Sequence, residues 1–264
     1  MQLSIHHLSF AYGKRQVLHD ITLDNLQSGE VIAVIGPNAA GKSTFFRCIS
    51  GMAKSSGDVL IDGTNIRSMK QTAVNRKIAY MPQDNLANVR MTVFEAVLLS
   101  LQVNASWRVN DDDLERVHRT LDGLGIDHLA LRHLNELSGG QRQMVSIGQA
   151  LVRQPEAIIL DEPTNNLDLQ RQLELIDLVR AATAQRNLLS ILALHDLNLA
   201  ARVADRVLLL DQGRVRAFGS PAEVITQEML AEVYGVHGDV GQDQRGDLSI
   251  AVYGSHRRHE WKFS

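Results

Sequence analysis

Three nearly continuous apolar segments lie along the chain, at 31–35, 157–160 and 188–194. Uninterrupted apolar runs of this length are typical of parallel strands that are buried on both faces of a sheet. Segments with a helical pattern follow, at 43–49 and 169–184. The pattern therefore predicts an α/β fold with a three-layer core, in which these strands are central.

The first residues of the chain show a weaker pattern. Leu3, Ile5, Leu8 and Phe10 alternate imperfectly with polar residues, and a second apolar run follows at 17–23. Imperfect alternation with a period of two indicates antiparallel strands with one exposed face. We expect these strands to form an antiparallel β-subdomain at the edge of the sheet, outside the core.

The middle of the chain lacks strand-like runs. Apolar residues recur there at helical spacing, most clearly between 114 and 124. Three aspartates at 111–113 precede them, and carboxylates in that place suit the positive end of a helix dipole better than a metal site. The sequence thus predicts a helical subdomain inserted at about 88–153.

The C-terminal part of the chain returns to short elements. Apolar runs on either side of a glycine-bearing turn predict a β-hairpin within 207–218, and short helices are expected within 221–234. The segment 237–264 is polar and glycine-bearing, and we expect it to be an accessory tail. The spacing of His256 and His259 could suit a metal, but two histidines without further ligands are usually surface residues.

Composition limits the classes of function. Because 44% of the residues are hydrophobic, the chain can bury a substantial core, and a net charge of −3 provides no basic face for nucleic acid. A single cysteine, Cys48, excludes an internal disulfide and fits a reducing compartment. The N-terminus lacks the pattern of a secretory signal, and the longest apolar runs are far shorter than the roughly 20 residues of a membrane-spanning helix. We expect any membrane association to depend on a partner.

The segment 36–43 fits the eight-residue phosphate-loop pattern and lies between a predicted buried strand and a predicted helix. Backbone N–H groups and the helix N-terminus can bind phosphates there. Lys42 can neutralise the β- and γ-phosphate oxygens, and Ser43 can ligate Mg²⁺. The ATP-binding residues expected here are Gly36, Pro37, Asn38, Ala39, Ala40, Gly41, Lys42, Ser43 and Thr44.

Asp161 and Glu162 directly follow the apolar segment 157–160. A carboxylate at the end of a buried strand is poorly solvated unless a cation such as Mg²⁺ accompanies it. Neighbouring residues at a strand end point in different directions, so Asp161 can face the metal while Glu162 faces an attacking water. Alone, such a pair could equally cap a helix, but after a phosphate loop it indicates nucleotide hydrolysis.

A third motif, Leu137 followed by Ser-Gly-Gly-Gln at 138–141, lies 20 residues before Asp161. A chain that hydrolyses a nucleotide needs only the phosphate loop and the acidic pair. The third motif therefore suggests an ATP site that a second subunit completes.

These three motifs in this order resemble those of the ATP-binding subunit of ATP-binding cassette (ABC) transporters, and the resemblance covers about residues 1–236. Tyr12 resembles the aromatic residue that stacks on adenine, Gln83 the Q-loop glutamine, and 166–168 the D-loop. His195 resembles the switch histidine. Taken alone, each would be read as a packing or surface residue, and it is their order that favours the roles known in the family.

The resemblance implies a P-loop NTPase fold and a Mg²⁺-dependent ATPase. By the family's roles, Glu162 polarises the attacking water, His195 touches the γ-phosphate, and Gln83 links Mg²⁺ to the loop that contacts the membrane partner. The implied Mg²⁺ ligands are Ser43, Gln83 and Asp161. The residues implied to complete the ATP site of the other subunit in a head-to-tail homodimer are Ser138, Gly139, Gly140, Gln141 and Asp168.

One position departs from the family pattern. The family usually has glycine where this loop has Ala39. A methyl group there costs little if φ is negative, but it costs energy if φ is positive. We predict a negative φ at Ala39 and an intact loop.

The resemblance also implies partners and a location. Since the chain carries no membrane span, its integral-membrane permease is expected to be a separate polypeptide, as is commoner among importers. The segments 75–83, 195–200 and 232–236 are similar to those of ATPases from iron-siderophore, haem and cobalamin importers. We therefore expect uptake of an iron-siderophore or similar chelate, an indirect partnership with a substrate-binding protein, and a peripheral position on the cytoplasmic face of the cell (inner) membrane. Residues 84–90 are expected in the cleft that receives the permease.

Three other classes of protein were weighed against this expectation. A soluble cassette ATPase acting on nucleic acid or ribosomes would typically carry coiled-coil insertions or tandem cassettes, and the chain has neither. A regulatory ATP-binding module would be expected to lack Glu162 or His195. The soluble cassette ATPase and the ATPase of an exporter stay open as alternatives.

Overall fold

A six-stranded sheet lies at the centre of the protein, whose computed structural model describes residues 1–83, 90–101, 109–165 and 167–256. The strands are β1 Gln2–Tyr12, β2 Arg15–Gln27, β3 Val31–Ile35, β4 Ser56–Ile61, β5 Thr64–Asn65, β6 Ile78–Met81, β7 Ala157–Leu160, β8 Leu189–Ala193, β9 Arg206–Asp211, β10 Arg214–Gly219, β11 Val236–Gln242 and β12 Leu248–Ser255. The helices are α1 Lys42–Ile49, α2 Gln71–Lys77, α3 Val93–Leu101, α4 Asp111–Gly123, α5 Gly139–Leu151, α6 Leu169–Arg186, α7 Leu197–Val203, α8 Pro221–Val224 and α9 Gln227–Met229.

The central sheet has the order β10-β9-β3-β8-β7-β6. The five strands from β9 to β6 are parallel, and β10 pairs antiparallel with β9. Along β3, Val31, Ala33 and Ile35 pack into one apolar cluster, while Ile32 and Val34 pack into another on the opposite face. The three apolar segments predicted to be central strands are therefore confirmed as β3, β7 and β8, buried on both faces.

The core of the protein has three layers, as the α/β prediction required. On one face of the central sheet, residues of α5, α6 and α7 join the first cluster, together with residues of α3 and α4. On the other face, α1 packs between the central sheet and strands β1, β2 and β4. The fold is that of the P-loop NTPases, with an additional antiparallel sheet and a group of helices between β6 and β7.

The antiparallel sheet corrects one expectation. Strands β1 and β2 do not form the edge of the central sheet, but belong to a separate four-stranded sheet of order β2-β1-β4-β5. Leu3, Ile5 and Leu8 are fully buried, because this face packs on Phe45 and Phe46 of α1. The N-terminal residues thus contribute to the core, while the opposite face is exposed as expected.

The described part of the segment between β6 and β7 contains helices, as its pattern predicted. Helix α4 begins at Asp111, and Asn110 caps it: the Asn110 side chain accepts a hydrogen bond from the Asp113 N–H at 2.8 Å, and the Asp113 carboxylate accepts one from the Asn110 N–H at 3.2 Å. The three aspartates therefore form the first turn of a helix. The boundaries 88–153, 1–236 and 237–264 stay predictions. None of the described helices has the length and apolarity needed to cross a membrane.

The C-terminal residues form two hairpins. The predicted first one, β9 and β10, is part of the central sheet because β9 also pairs with β3. Helices α8 and α9, with a π-helical turn at Leu230–Tyr234, lead to a second hairpin, β11 and β12, in the segment expected to be an accessory tail. The ring of His256 stacks on that of His237 at 4.0 Å, and His259 lies outside the described residues.

Candidate nucleotide site

The phosphate loop lies between the end of β3 and the start of α1. Its first residue must be glycine, because a Cβ on Gly36 would lie 1.9 Å from the carbonyl oxygen of Leu210 in β9. Residues 38–44 line a cavity of about 500 Å³, together with Tyr12, Arg15, Val17 and Glu162. Because α1 begins at Lys42, its N-terminal N–H groups are directed at a position where an anion can bind.

Ala39 does not have the predicted conformation. Its φ is +63°, in the left-handed region, so the prediction of a negative φ was wrong. The loop is held on both sides of this residue: the Ala40 N–H donates to the Pro37 carbonyl at 3.2 Å, and the Ala40 carbonyl accepts from the Gly213 N–H at 2.9 Å. These contacts require a backbone that curls at position 39, and for a residue with a Cβ that curl costs about 1–2 kcal/mol.

Gly213, in the turn between β9 and β10, connects the loop to the N-terminal sheet. Besides donating to Ala40, it accepts a hydrogen bond from the His19 N–H of β2 at 2.8 Å. A Cβ at this position would lie 1.8 Å from the carbonyl oxygen of Val17, and the φ of Gly213 is +71°. Only glycine can therefore make both contacts.

Lys42 directs its ammonium into the loop. The Nζ atom donates to the carbonyl oxygens of Gly36 at 2.8 Å and Pro37 at 3.3 Å, and the residue is only 6% exposed. Burial lowers the pKa of Lys42, while the carboxylates of Glu162 and Asp161 act in the opposite direction. The side chain is thus a buried cation held by neutral carbonyl groups, an arrangement that favours an additional anionic partner such as a phosphate.

Asp161 is buried at the end of β7, with 2% of its surface exposed. One carboxylate oxygen, Oδ2, accepts a hydrogen bond from the Tyr80 hydroxyl at 3.3 Å, but the other, Oδ1, has no partner among the described residues. Burial raises the pKa of Asp161, and the nearby Ser43 hydroxyl opposes this shift. An unpartnered buried carboxylate oxygen beside a hydroxyl fits a hard, oxygen-binding cation such as Mg²⁺.

Glu162 is the point at which three distant parts of the chain meet. His195 Nε2 lies 2.6 Å from Glu162 Oε1, and the Gln83 side-chain amide donates to Oε2 at 2.8 Å. The Asn165 side chain also donates to Oε2. Glu162 has a φ of +51°, a strained backbone conformation of the kind that clusters at functional sites.

The predicted residues Gln83 and His195 are therefore brought to Glu162. The Gln83 amide donates to Glu162 through its nitrogen, and its role as a metal ligand stays a prediction. Asn165 and Tyr80 were not predicted. The position of Asn165, three residues after Glu162 in a tight turn, is the only signal in the sequence that could have identified it.

Tyr12 stands at the mouth of the cavity, with 49% of its surface exposed. Its ring meets that of Phe10 edge to face at 4.8 Å, and its hydroxyl accepts a hydrogen bond from Arg47 at 3.2 Å. One face of an exposed aromatic ring held in this way is available for stacking on a planar base.

The motif at 138–141 is built differently. Ser138 caps α5: its Oγ accepts from the Gln141 N–H at 3.2 Å, and the Gln141 side-chain oxygen accepts from the Ser138 N–H at 3.0 Å. Gly140 approaches Leu167, just before Asp168, which caps α6 by accepting from the Arg171 N–H at 2.9 Å. Ser138 and Gly139 are exposed, and none of the four motif residues lines the phosphate-loop cavity. Asn166 lies outside the described residues.

Comparisons with known proteins find similar chains that match most of this sequence. Residues 18–165 match the family model described as ABC transporter. An uncharacterised ABC transporter ATP-binding protein of Methanocaldococcus jannaschii is 43% identical over 237 residues, which cover 89% of this chain and 92% of that protein. The petrobactin import ATP-binding protein FpuD of Bacillus anthracis is 32% identical over 260 residues, which cover 97% of this chain and 95% of that one.

A solved structure extends the similarity to three dimensions. It is that of an ABC transporter assigned to the metal-chelate type, in an inward-facing conformation. The two chains superpose with a TM-score of 0.82 at 25% identity, and the match covers 96% of this chain and 97% of the other.

Proposed function

Because this chain belongs to the ABC transporter family, we propose that it is the ATP-hydrolysing subunit of an importer. It powers uptake of an iron-siderophore or a similar metal chelate through a separate membrane permease. The single observation that carries the ATPase proposal is the meeting of Gln83, Asn165 and His195 on the carboxylate of Glu162, beside the phosphate loop.

The residues around the phosphate loop have different chemical tasks in hydrolysis. Glu162 accepts a proton from the attacking water, since a carboxylate that is held in place by hydrogen bonds can act as a general base. His195 then interacts with the γ-phosphate, and the ammonium of Lys42 exchanges the Gly36 and Pro37 carbonyls for phosphate oxygens. Ser43 and Asp161 would hold Mg²⁺, with Gln83 as a third ligand after it leaves Glu162. When bound, the cation offsets the charge that develops on the phosphate oxygens.

The proposed active form is a homodimer. Ser138, Gly139, Gly140, Gln141 and Asp168 are proposed to complete the ATP site of the neighbouring subunit. The start of α5 supports this role, because it offers helix N-terminal N–H groups at an exposed position. In a head-to-tail arrangement each subunit then contributes its phosphate loop to one ATP and this motif to the other.

The class of cargo is proposed from the share of the chain that is covered by two of the matches. The matches to the petrobactin import protein and to the metal-chelate type transporter cover 97% and 96% of the chain. Shares of that size in 264 residues extend beyond residue 236 into the C-terminal hairpin. The petrobactin import protein and the transporter of the metal-chelate type thus match this chain past residue 236, which supports a metal chelate as the cargo here.

The permease is proposed to dock beside β6. A cavity of about 410 Å³ lies there between the central sheet and helices α3 and α5, and its lining includes Tyr80, Leu99 and Arg153. Leu99 is exposed, as a residue that awaits an apolar partner would be. Residues 84–89, expected to join this cleft, lie outside the described residues. This arrangement puts the chain on the cytoplasmic face of the membrane.

Reconstitution tests the proposal. The tagged chain is purified from detergent-solubilised membranes with its bound membrane proteins, and the complex is placed in liposomes that contain ATP and Mg²⁺. We expect ATP-dependent accumulation of a radioactive ferric siderophore when the substrate-binding protein is present, and none with the matched Lys42→Ala complex. Accumulation of sulfate but not of any metal chelate would contradict the cargo class, while absence of ATP hydrolysis would contradict the ATPase assignment.

A further inference from the structure

The C-terminal hairpin of β11 and β12 is too small to be stable alone. A two-stranded hairpin in water is marginal without packing against other elements. Here Ile250 of β12 is 7% exposed and belongs to the main apolar cluster, and Val240 and Leu248 pack against that cluster. The hairpin is therefore docked on the body of the protein, and α7 is one of the elements it contacts.

One side chain makes the polar part of this contact. The Asn198 side-chain amide donates to the Ile250 carbonyl at 3.0 Å, and its carbonyl oxygen accepts from the Ile250 N–H at 2.8 Å. Asn198 thus occupies the place of a neighbouring strand on the outer edge of β12. A side-chain amide suits this contact, because it has a donor and an acceptor side by side.

Asn198 lies close to the catalytic cluster along the chain. It is the second residue of α7, a helix of only seven residues. Asp196 caps this helix by accepting from the N–H groups of Asn198 and Leu199, and His195 directly precedes the cap. Any shift of the first turn of α7 therefore moves the backbone that carries the His195 imidazole, which lies 2.6 Å from Glu162.

We infer that Asn198 is a positioning residue for ATP hydrolysis: by tying the first turn of α7 to the C-terminal hairpin, it holds His195 against Glu162. The inference rests on the proposed ATPase function. It gives the hairpin a task in the chemistry of the phosphate, although no hairpin residue touches Glu162. Loss of the tie is expected to slow turnover without weakening ATP binding, because Asn198 does not line the nucleotide cavity.

The test uses the purified full-length chain with ATP and Mg²⁺. Asn198→Ala is expected to lower kcat about tenfold, since small displacements of catalytic groups have effects of this size or larger. The dissociation constant of a fluorescent ATP analogue should stay within about twofold of the parent value. The matched control is Asn75→Ala, which removes an asparagine side-chain contact with Gln71 within α2 and should leave kcat unchanged.

A second variant separates the tie from the stability of the helix. Asn198→Asp places a carboxylate in the first turn of α7, where it favours the helix, but it faces the Ile250 carbonyl with an acceptor. If the tie is what matters, kcat falls as in Asn198→Ala. If Asn198→Asp keeps the parent kcat, the inference is wrong.

Two further outcomes would overturn the inference. One is a kcat for Asn198→Ala within about twofold of the parent, and the other is a loss of kcat in proportion to a loss of ATP binding and of folded protein. Glu162→Gln in the same assay keeps the two proposals apart. Full turnover in Glu162→Gln would defeat the catalytic assignment itself, whereas an inactive Glu162→Gln beside a fully active Asn198→Ala would defeat this inference alone.

Discussion

The phosphate loop of one subunit and the Ser138 motif of the other are proposed to bind the same ATP. The polar groups of the two regions, however, are satisfied in different ways. The loop is held by distant parts of the chain, including Leu210 and Gly213, and buried charged groups lie around it. The Ser138 motif is exposed, and its polar groups satisfy one another in a capping box. The phosphate-loop region thus contains strained backbone and buried charged groups, whereas the polar groups of the Ser138 motif are hydrogen-bonded to one another.

Because of this difference, the two regions differ in how much a bound ligand would stabilise them. Buried Asp161 has a carboxylate oxygen without a partner among the described residues, so the loop region gains most from a bound cation and phosphates. The start of α5 leaves no such deficit, and it can face solvent until a second subunit arrives. Variants of the two regions should therefore differ in what they change: binding, turnover or stability.

The largest effect is expected at the centre of the loop region. Glu162→Gln keeps the shape of the side chain but cannot accept a proton, so turnover should fall about a thousandfold while ATP binding persists. Phosphate release and binding of a fluorescent ATP analogue measure the two quantities. Glu174→Gln is the matched control, because Glu174 is an exposed carboxylate paired with Arg171 on α6. Undiminished phosphate release from Glu162→Gln would refute its role as the base.

A smaller loss of turnover is expected from the exposed region. Ser138→Arg should leave ATP binding within about twofold, since Ser138 does not line the cavity, but should lower turnover about a hundredfold by blocking the partner's phosphates. The same substitution at Ser220 provides the control, because Ser220 also caps a helix in a capping box with Glu223. If both variants hydrolyse ATP equally well, the Ser138 motif has no part in the site and the comparison fails.

Asp161 offers a test of whether the buried charge in the loop region lowers the stability of the fold. Its pKa is raised in the folded chain, so folding favours the protonated carboxyl. The carboxylate therefore destabilises the fold at high pH, and this cost disappears as pH falls through the folded-state pKa towards the unfolded value. Without ATP and Mg²⁺, Asp161→Asn should raise Tm by about 2 °C near neutral pH.

This gain should shrink as the pH approaches about 4, the ordinary range of an aspartate. Thermal denaturation followed by circular dichroism measures it. Asp177→Asn serves as the control, because Asp177 is an exposed carboxylate paired with Arg202. A lower Tm for Asp161→Asn at neutral pH would mean that the buried carboxylate stabilises the empty protein, contrary to expectation.

The smallest effect is expected at Ala39. Glycine relieves the left-handed strain, but it also increases the freedom of the unfolded chain, so Ala39→Gly should stabilise the protein by only about 0.5 kcal/mol. Urea denaturation measures the change, with Ala53→Gly at an unstrained position expected to destabilise instead. If Ala39→Gly is the less stable of the two, the observed φ does not represent the protein in solution.

The sequence predicted those features that depend on local pattern. Strands β3, β7 and β8 were recognisable because both of their faces are buried, and the phosphate loop because its residues are contiguous. β6 was missed although β7 is equally short, because Ala79 and Tyr80 interrupt its run of strongly apolar side chains. The separate N-terminal sheet was taken for an edge, because alternation reveals an exposed face but not which element covers the other face.

The site was predictable as a set of residues and not as a geometry. Glu162, Gln83 and His195 followed from motif order, but the hydrogen bond from Asn165 and the tie from Asn198 to Ile250 depend on how distant elements meet. The conformation of Ala39 was predicted wrongly, because it depends partly on the hydrogen bond from Gly213 to Ala40, and Gly213 lies 174 residues further along the chain than Ala39. Long-range contacts of this kind leave no local pattern.

The contacts of Gly213 also bear on how the protein is made. During synthesis the phosphate loop leaves the ribosome early, but β9, which pairs with β3, and the turn that holds Ala40 are made only after residue 205. A nascent chain shorter than this has the motif but lacks the contacts that shape it. Competence to bind ATP is therefore gained late in translation, after α5 with the Ser138 motif has already been made. A chain that ends before Gly213 is accordingly expected not to hydrolyse ATP.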